Sequence, residues 1–230
     1  ETHGTVILGN DVELPKAKGF LENIPILKAV ATQGGVSAPP DVDGLVRQLP
    51  LLQQTDTGWV AAFGTQVLKI LAGGDTYQIK TNINGIEQIR VRGLPPISTD
   101  SLGRKWISWV DTPETTLQEL NVQDTFVFIG VTAKGVMPQL ATPKGLLEPH
   151  KIQAALAESI LIESAKIPDY RLVLELGVMM LSGLLIALVI NFLGVTVGLV
   201  SAGIIMACTA FGGLYLIQHN ILVDVTWSLI

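Results

Sequence analysis

The chain has little charge and almost no cysteine. Charged side chains make up 15% of its 230 residues, against about 25% in an ordinary soluble domain. The deficit is local: of fifteen basic and twenty acidic residues, only Glu175 and Asp224 lie beyond Arg171. That distribution excludes a purely soluble protein and a disordered tail. The single cysteine, Cys208, excludes an intrachain disulfide and a multi-thiolate metal site. There is no basic run and the net charge is −5, so no nucleic-acid partner is indicated. No secretory leader is recognisable, and a strand-like run begins at Thr5, so the chain reads as one entered part-way through a domain.

The signatures of catalysis are also missing. There is no Gly-x-Gly-x-x-Gly, no phosphate-binding Walker loop and no Gly-x-Ser-x-Gly elbow. His3, His150 and His219 are far apart and have no ligand-like partner three or four positions away. No cofactor is indicated, and no enzyme activity is expected of this chain.

What is present falls into two parts. Residues 172–191 and 195–217 are nearly chargeless, and each can supply the ~20 residues that cross a ~30 Å hydrocarbon core. Phe192-Leu193-Gly194 between them suits a tight helical hairpin, and a segment starting at Ile221 reads as the first half of a third span. A buried hairpin in a soluble protein is the alternative, but these runs exceed ordinary core helices. Glu175 and Asp224 lie near span ends, where acids reach the interface. Lys166 and Arg171 on the domain side weakly favour a cytoplasmic domain, and charge alone does not decide the orientation.

The first part reads as a mixed α/β domain, with a partly parallel sheet covered by helices. Residues 4–8 and 125–131 are short apolar runs of the fully buried strand type. Residues 77–83 and 86–92 alternate about Asn84-Gly85, a hairpin signal, and residues 45–52 and 105–110 read as further strands. Helices are expected over residues 59–71 and 148–166. The chemically dense segment is Pro39-Pro40-Asp41-Val42-Asp43-Gly44-Leu45-Val46-Arg47, where Arg47 can clamp either carboxylate. A structural turn and a ligand site both fit it. Asp100-Ser101-Leu102-Gly103 is a similar turn, and His150 opens a helix.

These turns, taken in order, resemble the second family of CHASE domains, extracellular sensory modules of bacterial cyclases and kinases. The matching pieces begin with Asp41 through Arg47 and Leu49-Pro50-Leu51, then Ile97-Ser98-Thr99-Asp100 with Gly103. Val127-Phe128-Ile129-Gly130-Val131-Thr132-Ala133 with Gly135 follows, then Thr142-Pro143 and the helix from His150 to Ile160-Leu161. The family's opening strands and first Asp-containing turn are missing, and residues 134–141 lack the Asp that usually precedes Thr-Pro.

The resemblance implies a sensory domain over residues 1–168, on the periplasmic or extracellular side of a bacterial inner membrane. Residues 169–230 would then hold an odd number of spans leading to a cytoplasmic effector beyond Ile230, such as a cyclase or kinase. That orientation opposes the weak charge hint. The expected partners are the lipid bilayer, a second copy or a larger membrane complex, and an unidentified ligand. Asp41, Asp43, Arg47, Asp100, Thr142 and His150 form the ligand-or-turn set. Pro168, Asp169 and Arg171 form the joint through which a signal would pass. The competing expectation is an assembly subunit that reuses the sensory fold.

Overall fold

The computed structural model describes residues 6–7, 14–17, 19–56, 58–83, 85–109, 113–115, 126–133, 135–164 and 171–223. The chain divides into two units, Glu1–Ser164 and Ala165–Ile230. The first holds β1 (Val6–Ile7), α1 (Pro25–Lys28), β2 (Gln48–Pro50), β3 (Leu52–Thr55), β4 (Gly58–Ala61) and α2 (Phe63–Leu71). It continues with β5 (Tyr77–Asn82), β6 (Gly85–Val91), β7 (Ile97–Ser98), β8 (Arg104–Trp106), β9 (Leu140–Thr142), β10 (Gly145–Leu147) and α3 (Pro149–Leu161).

Alternation in β5 and β6 puts Tyr77, Ile79, Ile86, Ile89 and Val91 on the buried face, as the two-residue period requires. The four-stranded sheet runs β1-β5-β6-β7, with β1 parallel to β5 and the other pairs antiparallel. The expected mixed, partly parallel sheet is therefore present. The hairpin turns between Asn82 and Gly85, one position ahead of the expected Asn84-Gly85 pair. Gly85 has φ +121°, and a Cβ there would lie 2.5 Å from the Ser101 carbonyl oxygen. Only glycine lets these two turns touch.

Among the described residues, three two-stranded ladders complete the strands: β2 with β8, β3 with β4, and β9 with β10. The core gathers Leu49, Leu51 and Leu52 from the β2–β3 region, Leu68 from α2, Ile89 from β6, and Ile152 and Leu156 from α3. Each such fully buried side chain contributes about 1.5–3 kcal/mol of transfer free energy.

Four boundaries differ from the sequence expectation. The helix expected from Trp59 starts at Phe63, because residues 58–61 pair with β3 instead. Trp59 and Val60 suit a pleated strand, and two abutting elements imitated one helical period. The strand expected over residues 45–52 splits into β2 and β3, and that over 105–110 contracts to β8. The helix expected to reach Lys166 stops at Leu161, where Glu163 takes a left-handed φ of 48°.

The largest correction concerns residues 125–131. Among the described residues, 126–131 belong to no strand and expose Phe126, Val127, Ile129 (74%) and Val131. Phe128 alone turns inward, edge-on to Phe63 at 5.7 Å between ring centroids. An apolar run records a capacity to be covered; it does not show that a covering strand exists within the same chain.

The second unit is a hairpin of α4 (Arg171–Leu193) and α5 (Val195–Gln218). Their apolar stretches have mean hydropathies of 2.5 and 1.9, and no residue of the α4 stretch is buried. A core helix of a soluble protein would hide such a surface; these expose leucine and methionine on all sides. The reversal sits at Gly194, with φ +87°. The segment after Val223, where a third span is expected, lies outside the described residues.

Candidate functional site

The acidic turn and the strand Asp100 feeds are brought together by the pairing of β2 with β8. Gly44 N–H donates to the Asp41 carbonyl at 2.9 Å, and Asp41 N–H to the Leu45 carbonyl at 2.9 Å. Asp43 Oδ1 accepts from Leu45 N–H at 3.2 Å, while its other oxygen meets Arg47 Nη2 at 2.6 Å. This guanidinium holds the Asp43 carboxyl down at about 2, and the pair in turn raises Arg47. Asp41 accepts from Gln48 Nε2 at 2.9 Å and lies 4.0 Å from Arg47 and 3.8 Å from Arg104.

Arg104 links this turn to the second one. Its Nε donates to Asp100 Oδ2 at 2.6 Å, while Asp100 Oδ1 accepts the backbone N–H of Leu102 and of Arg104. The result is a chain of alternating charge, Asp43-Arg47-Asp41-Arg104-Asp100, in which each carboxylate already has a cationic neighbour. Arg104 carried no signal of its own in the sequence, since only strand pairing places it beside Asp41. Chemically the arrangement braces two turns against each other. Among the described residues, no group of three or more His, Cys, Asp and Glu side chains is arranged to hold a metal ion.

Thr142 and His150 sit elsewhere. Thr142 Oγ1 donates to the Gly145 carbonyl at 2.7 Å and accepts from Lys144 N–H at 3.3 Å, closing the β9–β10 turn. Its strand touches the acidic segment through Val46 N–H to the Ala141 carbonyl, 2.8 Å. His150 lies in the first turn of α3, its Nδ1 buried without a hydrogen-bond partner. The backbone of Gly130 packs on its ring so closely that a Cβ there would lie 2.1 Å from Cγ. Neither residue shares a hydrogen bond or ion pair with Asp41, Asp43, Arg47 or Asp100 among the described residues. The six positions thus separate into one ionic chain, a hydrogen-bonded turn hydroxyl at Thr142 and a packed ring at His150.

Of the joint residues, Pro168 and Asp169 lie outside the described residues. Arg171 opens α4 and pairs with Glu175 one turn on, 2.7 Å apart, so the acid near the start of this apolar helix has a cationic partner.

The domain's exit carries a device that sequence reasoning missed. Glu163 N–H donates to the Ile160 carbonyl at 3.1 Å and Ser164 N–H to the Ser159 carbonyl at 3.1 Å, the paired bonds of a Schellman cap. Ser159 Oγ also accepts from Ser108 N–H at 2.8 Å. Lys105, fully buried in β8, donates from Nζ to the Ser164 carbonyl. The strand whose Arg104 joins the ionic chain therefore also holds, through Lys105, the last described residue of the domain. Only the oddity of a lysine flanked by Arg104 and Trp106 in a short strand hinted at this.

A family model described as CHASE2 domain matches residues 4–191 of the chain, which takes in nearly all of the first unit and of the first apolar helix. No curated protein and no solved structure matches the chain significantly.

Proposed function

The chain belongs to the CHASE2 domain family, an extracellular sensory domain family, and from that premise we propose that it is the input domain of a membrane receptor. Two apolar helices fit a membrane anchor. A stimulus received by the first unit is passed through the spans to an effector on the other side. The observation that carries this proposal is β8: Arg104 reads the ionic turns on one side and Lys105 clamps the helix exit on the other. A ligand that favours one arrangement of the turns over another would bias the exit, as any population shift requires. The receptor acts as a homodimer in a bacterial inner membrane, with the domain outside, and this chain performs no catalysis.

The test is an insertion series. One, two or four alanines placed immediately before Arg171 extend α4 by about 100° of helical turn each and so change the phase at which the first apolar helix begins. In the full-length protein, output should change with the phase of the insertion. Unchanged effector output across the series would contradict transmission through this joint. An open reading frame that ends without an output module, with stable co-purifying membrane subunits, would favour the assembly subunit instead.

A further inference from the structure

Two segments distant in sequence hold the β3–β4 hairpin by its two edges. Ala17 N–H donates to the Gln54 carbonyl at 2.8 Å and Gln54 N–H to the Pro15 carbonyl at 3.0 Å, so residues 15–17 run along β3. Gly35 N–H donates to the Ala61 carbonyl at 2.7 Å and Phe63 N–H to the Gly35 carbonyl at 2.8 Å, where β4 gives way to α2. A Cβ on Gly34 would lie 2.6 Å from the Phe63 Cα, and only glycine permits that approach. Backbone bonds therefore fix both segments before any ligand arrives.

These two segments line a cleft of about 810 Å³, a volume within the range of ligand sites. Phe20, Val36, Val60 and Phe63 give it apolar sides. Among the described lining residues the exposed Lys16 is the only charged one, and the remaining polar side chains are amides and hydroxyls. One of those amides, Gln33, has its Nε2 buried without an acceptor. A donor left in that state is costly, and an acceptor brought to it recovers the cost. The lining also runs through Ser37 to Pro39, two residues short of Asp41 in the ionic turn.

These groups discriminate among ligands. A carboxylate or an ammonium entering the cleft would shed water and meet no buried counter-charge among the described lining residues. A carbonyl oxygen would instead meet the unpaired Gln33 donor, and the phenylalanine and valine sides call for an apolar body. We propose that this cleft is the stimulus-binding site and takes an uncharged carbonyl compound, an amide or ester, with an aromatic or aliphatic body. The carbonyl accepts from Gln33 Nε2 while the body lies against Phe20, Val36 and Phe63. Occupancy fixes residues 36–39 and thereby biases the turn that begins at Asp41. This rests on the receptor proposal above and adds the ligand class.

The test uses the whole chain purified in detergent, with calorimetry and ligand-observed NMR. The probes are phenylacetamide and N-butylphenylacetamide against phenylacetate and 2-phenylethylamine, which keep the body and change the charge. At least one amide should bind about tenfold or more tightly than either charged analogue. Gln33→Met leaves no partner behind and should fold normally, yet weaken that amide about threefold to tenfold, the size of one neutral hydrogen bond. Gln33→Glu should turn the preference toward the amine. Val36 is half exposed, so Val36→Trp should fill the cleft without unfolding the domain and abolish binding of every probe. The same variant measures partitioning into the detergent. The proposal is overturned if neutral and charged probes bind alike, if Gln33→Met and Val36→Trp leave amide binding unchanged, or if no probe binds. Failure here with a phase-dependent insertion series would remove the cleft alone; amide binding with a flat series would remove the receptor.

Discussion

Lys105 and Ser164 are 59 positions apart, yet the lysine ammonium donates to the serine carbonyl at the end of α3. Ser164 closes the Schellman cap through its N–H, so its carbonyl lies beyond the helical ladder and takes its donor from elsewhere in the domain. A buried lysine is costly to desolvate and is retained only where its donors are used. Here it fastens the exit of the domain to the strand that carries Arg104.

Replacing Lys105 with Met keeps the volume and leaves the Ser164 carbonyl without its donor. We expect a loss of about 1–3 kcal/mol, the cost of an unsatisfied buried group. Lys80→Met, which breaks an exposed pair with Glu87, should cost at most about 1 kcal/mol. Thermal or urea unfolding of the full chain in detergent compares the two. Equal losses would mean that the clamp contributes no more than a surface pair.

Gly64 sets how closely α2 approaches α3. A Cβ there would stand 2.5 Å from the Gln153 carbonyl oxygen, while the Gly64 N–H already donates to Gln153 Oε1 at 3.0 Å. Helix propensity favours Gly64→Ala by about 1 kcal/mol, whereas overpacking costs about 1–3 kcal/mol. The contact is with backbone, which cannot swing aside, so overpacking should win and the variant should melt lower. A higher melting temperature would show that the two helices separate freely.

The Asp43–Arg47 pair fixes a pH signature. The Asp43 carboxyl is lowered from 3.8 to about 2, so the folded state binds its proton less readily than the unfolded chain. Its stabilisation is therefore complete above the unfolded value and lost as pH falls through about 2. Both partners are partly exposed, so the effect should be small and should weaken with salt. The difference in stability between the protein and its Asp43→Asn variant should shrink between about pH 4 and pH 2. A difference constant over that window would mean that the pair does not form in solution.

Much of this was legible in the sequence because the relevant signals are local. The β5–β6 hairpin and the two apolar helices follow from alternation and from run length, which need no knowledge of distant residues. The ionic chain was half legible: Asp41, Asp43 and Arg47 share one turn, but Arg104 joins only through the β2–β8 register. The Lys105 clamp was not legible, because burial of a lysine depends on what the rest of the chain lays over it. Residues 126–131 failed in the opposite sense: the apolar pattern is present, but among the described residues no strand pairs with it. The helix expected from Trp59 failed because β4 and α2 follow each other without a polar break.

An input domain of a receptor must lie on the outer side of the membrane, with the reversal at Gly194 on the inner side. In a Cys208→Ser background, cysteine placed at the fully exposed Val42 of the acidic turn can be probed in intact cells with a membrane-impermeant maleimide. Cysteine in place of exposed Phe192, next to the reversal at Gly194, reports the opposite face. The receptor account requires Val42→Cys to label in intact cells and Phe192→Cys only after permeabilisation. Labelling of Phe192→Cys alone in intact cells would put the sensory domain inside the cell and contradict it.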